Sequence, residues 1–369
     1  MLLRRFLRRV HRWLSLSLGL LFLLLSLSGG VLVFAHPLDR WLNPHLFQRT
    51  GDRDIGFNAA YAAVQSAYPN QRVTMLWSPH RHGVYEAVLQ GKPATVVYID
   101  PASGDLLGSR RTADSLVGWL TELHVTLFAG SVGEWIVGSL GMLLFIVLVT
   151  GAILWWPTWR RIALGFRVRV RKGWFAALYD LHKLTGILTL PLVAMIALSG
   201  FFLTFHTVAM VVVHALTLSQ PLEYPRGEAL RCSPTSSGKL SPEQWQQIAE
   251  QAVPGGVAMY LAFPAQDDLA AQVRLQTPNS PHPSGFARVW LDPYTGRVLH
   301  KHDPSEFTTG NHLYAKWMFP LHIGSYGGFP TRLIHAGISL APAFLTITGV
   351  WMWWYRHQLK KQGRASQPE

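Results

Sequence analysis

Apolar residues in this chain are concentrated in four long runs separated by polar segments. The runs cover residues 13–34, 135–156, 184–205 and 333–355. Each run is long enough for a helix to cross the hydrocarbon core of a bilayer, which takes roughly 20 residues. The segments between the runs are too polar to cross. The pattern therefore predicts an α-helical polytopic membrane protein with four transmembrane helices.

The distribution of positive charge predicts the orientation of these helices. The chain has 33 basic and 20 acidic residues, a formal net charge of +13. Basic residues cluster before the first run, between the second and third, and after the fourth, as expected for cytoplasmic segments. Both termini are thus predicted to be inside, the first run is interpreted as an uncleaved anchor, and the charge is a topology signal that does not call for a nucleic-acid partner.

A histidine pattern repeats once along the chain. The first run matches the third and the second matches the fourth, with identical spacing between a histidine and a hydroxyl-glycine dipeptide. The matches are His11 with Ser28-Gly29 and His182 with Ser199-Gly200, 17 residues apart, and His124 with Thr150-Gly151 and His322 with Thr348-Gly349, 26 residues apart. The chain is therefore predicted to contain two repeated units, each with an outward and a returning helix.

The long polar segments between the runs of each unit also resemble one another. Residues 97–99 and 289–291 form alternating strands that are followed by Asp-Pro turns with a glycine, and helices are predicted over 58–67 and 242–252. Ser241 is a suitable N-cap for the second helix. These features predict two small α+β domains outside the membrane.

The resulting segments follow one another in a simple order. They are the basic N-terminus with the first span (1–36), the first external domain (37–118), an interfacial segment with the second span (119–157), a basic cytoplasmic loop (158–181), the third span (182–206), the second external domain (207–316), an interfacial segment with the fourth span (317–356) and a cytoplasmic tail (357–369).

The order of these motifs resembles the PepSY-associated transmembrane family over nearly the whole chain. The motifs are His11-Arg12-Trp13-Leu14 with Ser28-Gly29, Leu123-His124 with Val137-Gly138 and Thr150-Gly151 to Pro157, Asp180-Leu181-His182-Lys183 with Leu198-Ser199-Gly200, and Leu321-His322 with Thr348-Gly349 to Trp354. The resemblance implies PepSY-like external domains, a bacterial inner-membrane location with those domains in the periplasm, and a role in iron acquisition. It further implies two b-type haems and reduction of a ferric siderophore, as in ferrioxamine-type reductases.

The resemblance implies that the repeated histidines are the axial ligands of the two haems. Two imidazoles from different helices give an iron suited to electron transfer. Repeat symmetry pairs His11 with His182 near the cytoplasmic face and His124 with His322 near the outer face. A helix from His124 to the end of the second span would be longer than the membrane is thick, so breaks are predicted at Gly130–Gly133 and at 324–330.

Other residues are weaker candidates for the same site. Further candidate ligands are His335 inside the fourth span and His36 and His206 at the outer ends of two spans, and candidate partners of haem propionates are Arg110, Arg111 and Arg332. The remaining external histidines, His80, His82, His282, His300, His302 and His312, are expected to be exposed to solvent.

The function expected from this combination is a haem-b electron conduit that reduces a periplasmic ferric siderophore from Fe(III) to Fe(II). No segment matches a nucleotide-binding fingerprint, so the electron donor is expected to be a membrane quinol or a separate protein. Two alternatives stay open at this point. One is a non-redox siderophore or iron permease component, or a sensor with binding domains; the other is a cytochrome that serves a different external acceptor.

Overall fold

The computed structural model describes residues 2–156, 160, 162–222, 230–234, 238–278 and 280–365, with side chains described up to Leu359. Pro157 and Arg161 of the predicted motifs and basic segments, and the side chains of Lys360, Lys361 and Arg364, lie outside the described residues. The chain forms two compact units. The bundle unit contains residues 1–33, 120–206 and 321–369, and the sheet unit contains residues 34–119 and 207–320.

Helices account for most of the chain. In chain order they are α1 (Leu2–Leu32), α2 (Ala35–Leu42), α3 (Gly56–Ala67), α4 (Pro79–His82), α5 (Leu116–Thr126), α6 (Gly130–Trp155), α7 (Ile162–Gly165), α8 (Trp174–Thr204), α9 (His206–Thr217), α10 (Pro242–Ala252), α11 (Thr309–His312), α12 (Met318–Ile323), α13 (Gly328–Ser339) and α14 (Ala341–Ala365). Four helical segments are long and apolar enough to cross a membrane: α1, α6, α8 and the segment Ser325–Leu359. This confirms the predicted number of spans.

The four long helices pack as a closed ring in the bundle unit. α1 packs against α6 and α14, and α8 packs against the same two helices. α1 and α8 therefore face each other across the bundle. Small residues allow close packing of α6 on α8, since a Cβ added at Gly141 would lie 2.7 Å from the carbonyl oxygen of Ala197.

The predicted breaks before the second and fourth spans are confirmed. α5 ends at Thr126, the next two residues have positive φ angles of 50° and 60°, and α6 begins at Gly130, whose φ is 55°. Before the fourth span, α12 ends at Ile323 and Gly324 adopts a φ of 73°. His124 and His322 consequently lie on short helices that precede the spans. α13 and α14 are a further division of the fourth span that was not predicted.

The sheet unit is built on one antiparallel sheet. Its strands are β1 (Val73–Trp77), β2 (Tyr85–Leu89), β3 (Thr95–Ile99), β4 (Leu106–Arg111), β5 (Val257–Ala262), β6 (Ala271–Gln276), β7 (Ala287–Leu291) and β8 (Val298–His302). Their order in the sheet is β4-β3-β2-β1-β5-β6-β7-β8. The prediction of two separate external domains is thus wrong at the level of the sheet. The four strands of each segment meet edge to edge through β1 and β5, which satisfies the backbone groups of two strands that would otherwise be exposed edges.

The two helices that the sequence predicts in this unit lie on the core face of the sheet. α3 and α10 cover that face, and Val64, Trp245 and Leu261 belong to the same buried cluster. Ser241 caps α10, accepting a hydrogen bond from the backbone of Gln244, whose side chain bonds back to Ser241 in a capping box. The predicted turns also form, with Gly104 and Gly296 at φ angles of 83° and 74°.

Candidate functional site

The bundle brings the four repeat-related histidines together in two pairs. His11 on α1 and His182 on α8, which we call the first pair, come from helices that face each other across the bundle. His124 on α5 and His322 on α12 form the second pair, with ring centroids 6.2 Å apart and planes at 48°. The proximity of the two rings in the second pair agrees with the pairing expected from the repeat.

The first pair is held by hydroxyl groups of the returning helices. The Nδ1 atom of His11 lies 3.2 Å from the hydroxyl of Thr150, and Nδ1 of His182 lies 2.7 Å from the hydroxyl of Thr348. His11 Nδ1 also donates to the carbonyl of Val147 at 3.0 Å. Each returning helix therefore fixes the histidine of the outward helix in the same repeat unit.

The second pair is held in the same way by the outward helices. Nδ1 of His124 lies 3.0 Å from the hydroxyl of Ser28, and Nδ1 of His322 lies 3.1 Å from the hydroxyl of Ser199. His322 Nδ1 also donates to the carbonyl of Ile196 at 3.0 Å. In the second pair the outward helix of each unit thus carries the hydroxyl and the returning segment carries the histidine. This is the reverse of the first pair.

The hydrogen bonds decide which ring nitrogen carries the proton. Each of the four hydroxyls donates to a carbonyl of its own helix, so it accepts from the imidazole. These bonds run from Ser28 to Leu24, Thr150 to Val147, Ser199 to Ile196 and Thr348 to Phe344, at 2.8 to 3.0 Å. Nδ1 is consequently the protonated atom in all four neutral histidines, and Nε2 keeps its lone pair. This arrangement is typical of metal-ligating histidines, whose other ring nitrogen donates to a fixed partner.

Glycines provide the space that the imidazole rings occupy. A Cβ added at Gly29 would lie 2.7 Å from Cε1 of His124, and one at Gly200 would lie 3.0 Å from Cε1 of His322. Gly151 stands in the same relation to His11, at 3.1 Å. Three of the four hydroxyl-glycine dipeptides therefore supply both an acceptor for Nδ1 and room for the ring, whereas a Cβ at Gly349 would make only an ordinary contact with His182, at 3.5 Å.

The donor set fits a haem better than a metal ion bound by protein alone. Among the described residues there is no group of three or more His, Cys, Asp or Glu side chains that could hold a metal ion, whereas protein-held zinc takes three or four such ligands. Two imidazoles that share one metal at about 2 Å from each nitrogen have ring centroids roughly 6 Å apart. The separation in the second pair meets this requirement, and the porphyrin of a haem held there would supply the remaining four nitrogens.

The two pairs lie at different depths along the bundle. Ser28, which contacts the second pair, follows His11 of the first pair by 17 residues on α1. At a rise of 1.5 Å per residue the two levels are about 25 Å apart along the helix. The same spacing separates His182 from Ser199 on α8. The arrangement thus offers two positions on one path through the membrane.

The further candidate ligands are placed less favourably. His335 is buried beside the second pair, where its Nε2 lies 3.3 Å from the hydroxyl of Tyr326. His36 belongs to the sheet unit, where its ring stacks on that of His82 at 3.9 Å. His206 is exposed at the start of α9. His36 and His206 therefore belong to neither pair, and His335 stays a candidate ligand beside the second pair.

Only one of the three candidate arginines is available to a propionate. Arg110 forms an ion pair with Asp39 in the sheet unit, and Arg111 pairs with Asp114 at 2.8 Å. Arg332 on α13 has no hydrogen-bond partner for its Nε atom among the described residues, although that atom is buried. The structure thus favours Arg332, which lies in the bundle unit.

The external histidines are less exposed than their polar surroundings predict. His282 and His302 are only 8% and 3% exposed. His282 lies near Arg274 and Arg288, and burial, followed by the positive charges of these arginines, lowers its pKa to about 3. The expected solvent exposure was therefore wrong for these two residues, because aromatic side chains of the sheet unit pack against both rings.

Acid is consequently expected to destabilise the sheet unit through His282. In the unfolded chain this histidine binds a proton below about pH 6.5, but the folded protein resists protonation until about pH 3. Lowering the pH from 7 to 5 therefore costs up to about 2 kcal/mol of stability from this one group. In His282→Gln, the fall of the thermal midpoint between pH 7 and pH 5 should be smaller, while the exposed His80→Gln should behave like the native protein. Equal falls in all three proteins would contradict the assignment.

Comparison of the sequence with known protein families gives a result that agrees with the geometry of the bundle. The sequence profile of the PepSY-associated TM region matches residues 8–356. The chain belongs to this family. It is also similar to PA4219, an uncharacterised protein of Pseudomonas aeruginosa, with 25% identity over 270 residues. That match covers 68% of this chain and 64% of the relative, so the chain spans somewhat less than two thirds of the relative's length.

Proposed function

We propose that this membrane protein is a haem-b electron conduit that reduces an external ferric siderophore. The observation that carries the proposal is that one bundle contains two sites at different depths, each with two imidazoles. A hydroxyl acceptor fixes Nδ1 of every histidine. A sensor or permease of the same topology has no need of these paired and oriented rings.

The residues of each pair would hold one haem between them. Nε2 of His11 and His182 would ligate the first iron, and Nε2 of His124 and His322 the second. Haem supplies a one-electron couple when it is bound. The protein fixes the axial ligands and, through the hydrogen bonds at Nδ1, sets the donor strength of the imidazoles.

The proposed orientation of the protein in the membrane places the first pair at the cytoplasmic side. The basic residues that flank the spans support an orientation with both termini inside and the sheet unit outside, and the family supports a bacterial inner membrane, whose outer side is the periplasm. The electron donor would be a membrane quinol or a separate protein. We propose that the two sequence-related halves of the sheet unit are fused PepSY-like domains.

Reduction is a chemically sufficient way to release the metal. Hard oxygen ligands hold Fe(III) tightly, and Fe(II) binds them much more weakly. One electron converts Fe(III) to Fe(II), and a quinol that loses two electrons and two protons reduces two ferric ions. The step is outer-sphere electron transfer, so the chain needs no acid-base or nucleophilic residue for it.

Spectroscopy and turnover together test this function. Protein purified after haem-replete expression should show a Soret band, a sharp α-band after reduction, and about two haems per chain. The reduced protein should be reoxidised by a ferric siderophore while a ferrous chelator captures the Fe(II) that is released. Absence of the α-band would refute the conduit, whereas a normal spectrum without reoxidation by any ferric chelate would leave a cytochrome with another acceptor.

A further inference from the structure

A cleft lined mainly by aromatic residues lies at the end of the bundle unit that carries the first pair. It has a volume of about 470 Å³ and opens between the start of α8 and the C-terminal half of α14. This volume falls in the range of small-molecule sites, about 300–1,000 Å³. We call it the aromatic cleft, and its lining residues are Trp174, Trp351, Trp354, Tyr355, Gln358 and Leu359.

The aromatic cleft is close to the first pair because both are built on the same two helices. Thr348, whose hydroxyl contacts His182, precedes Tyr355 by seven residues, so the two lie on one face of α14 about 10 Å apart. On α8, Trp174 precedes His182 by eight residues, about 12 Å along the axis. The rings of Trp174 and Tyr355 are 4.8 Å apart. The cleft is therefore about two helical turns from the position of His182.

The repeat shows that these aromatic residues are more than the belt that membrane helices usually carry at their ends. Trp354 belongs to a tryptophan dipeptide that both repeat units contain. Trp351, however, corresponds to Ile153 of the other unit. Trp174 corresponds to Leu3. A belt would serve both units alike, whereas extra aromatic residues in one unit, beside one histidine of the first pair, indicate a binding site.

The cleft is accessible from the lipid side. Trp174, Trp351 and Trp354 are each 51 to 53% exposed, and they belong to segments that are long and apolar enough to cross a membrane. Their exposed surface therefore borders the hydrocarbon or its interface with water. Tyr355 and Gln358 add a hydroxyl and an amide, which can each donate and accept hydrogen bonds. The cleft thus suits a flat, lipid-soluble molecule with few hydrogen-bonding groups.

We propose that the aromatic cleft binds a membrane quinol that donates electrons to the first pair. This inference rests on the proposed function and decides between its two electron donors. The quinol ring is flat and packs on aromatic faces, its two hydroxyls match the polar groups of Tyr355 and Gln358, and its chain stays in the lipid. One quinol loses two electrons and two protons and leaves as the quinone. The electrons reduce two ferric ions, and the protons pass to water at the cytoplasmic side.

Photolabelling tests binding without electron transfer. The probe is an azido-benzoquinone with a decyl chain, added to the full-length protein in detergent and photolysed. Mass spectrometry of the peptides should place the label at the start of α8 and on the C-terminal half of α14, and excess unlabelled decyl-benzoquinone should displace it. Label that is not displaced, or that lies mainly on α1 and α6, would overturn the proposal.

Substitutions of tryptophan locate the site. Trp351→Leu should raise by about tenfold the concentration of unlabelled quinone that halves the labelling, because one aromatic contact is lost, and Trp351→Phe should recover part of the affinity. Trp353→Leu is the matched control, since this neighbour is not among the lining residues and its ring stacks on that of His357. Equal affinities in Trp351→Leu and Trp353→Leu would refute the site.

Failure of this inference is distinguishable from failure of the proposed function. A decyl-quinol should reduce the haem-loaded native protein and Trp353→Leu, and should reduce Trp351→Leu about tenfold more slowly when quinol is limiting. Dithionite should reduce all three equally. Reduction by dithionite and reoxidation by a ferric siderophore, without displaceable labelling, would retain the conduit and reject the cleft.

Two further outcomes are decisive. Displaceable labelling of a protein that shows no haem spectrum would retain the quinone site and reject the conduit. A fall in the thermal midpoint of Trp351→Leu would show misfolding, in which case Trp351→Phe and Trp174→Leu decide the result.

Discussion

Replacing His322 with alanine is expected to remove one of the two proposed haems and to abolish reduction of the external substrate. The second pair would keep only His124, and a single imidazole cannot hold a low-spin, six-coordinate iron. The first pair has its own ligands, about 25 Å away along the bundle. The haem-to-protein ratio should therefore fall from about two to about one, with a low-spin spectrum still present.

The converse variant and a control make this result specific. His182→Ala should also lose one haem, but the remaining centre should still be reoxidised by the ferric substrate after chemical reduction. In His322→Ala the remaining centre should be reduced by dithionite yet fail to be reoxidised by substrate. His206→Ala, which changes an exposed histidine near the end of α8, should keep both haems. If His322→Ala retained two haems and His335→Ala lost one, the pairing would have to include His335.

The membrane part of the fold could be predicted because its determinants are local. Length of apolar runs, flanking charge and glycines at two breaks are read directly from neighbouring residues, and they gave the four spans and the short helices that carry His124 and His322. The pairing of histidines followed from repeat symmetry. Repeat symmetry pairs histidines that are 171 and 198 residues apart in the chain without any knowledge of packing.

The rest depended on contacts between residues far apart in the chain. β1 pairs with β5, for example Leu76 with Leu261, and this junction makes one sheet from two segments. No local sequence pattern predicts it. The partners of Arg110 and the burial of His282 were missed for the same reason. The hydroxyl acceptors for Nδ1 were present in the repeat as Ser-Gly and Thr-Gly dipeptides, but only the geometry shows that they serve the histidine of the neighbouring helix.

Adding a single methyl group at Gly29 is expected to disturb the second pair while leaving the fold intact. The Cβ of alanine would lie 2.7 Å from Cε1 of His124, much closer than two carbon atoms approach without repulsion. The ring must then shift or lose its hydrogen bond to Ser28. Alanine favours the helix by about 1 kcal/mol relative to glycine, so the helix itself should not be weakened.

Gly337→Ala is the matched control, because a Cβ at that position of α13 has no heavy atom within 4 Å. Gly29→Ala should lower the affinity for the haem of the second pair by about 10- to 100-fold, the usual effect of disturbing a ligand's supporting contacts. Haem titration of the apoprotein and the redox midpoints of the two centres measure this change. Since the first pair does not contact Gly29, only one midpoint should move in Gly29→Ala and neither should move in Gly337→Ala. Native affinity and midpoints in Gly29→Ala would mean that the space beside His124 is not set by this glycine, and that the ring is positioned by its hydrogen bonds alone.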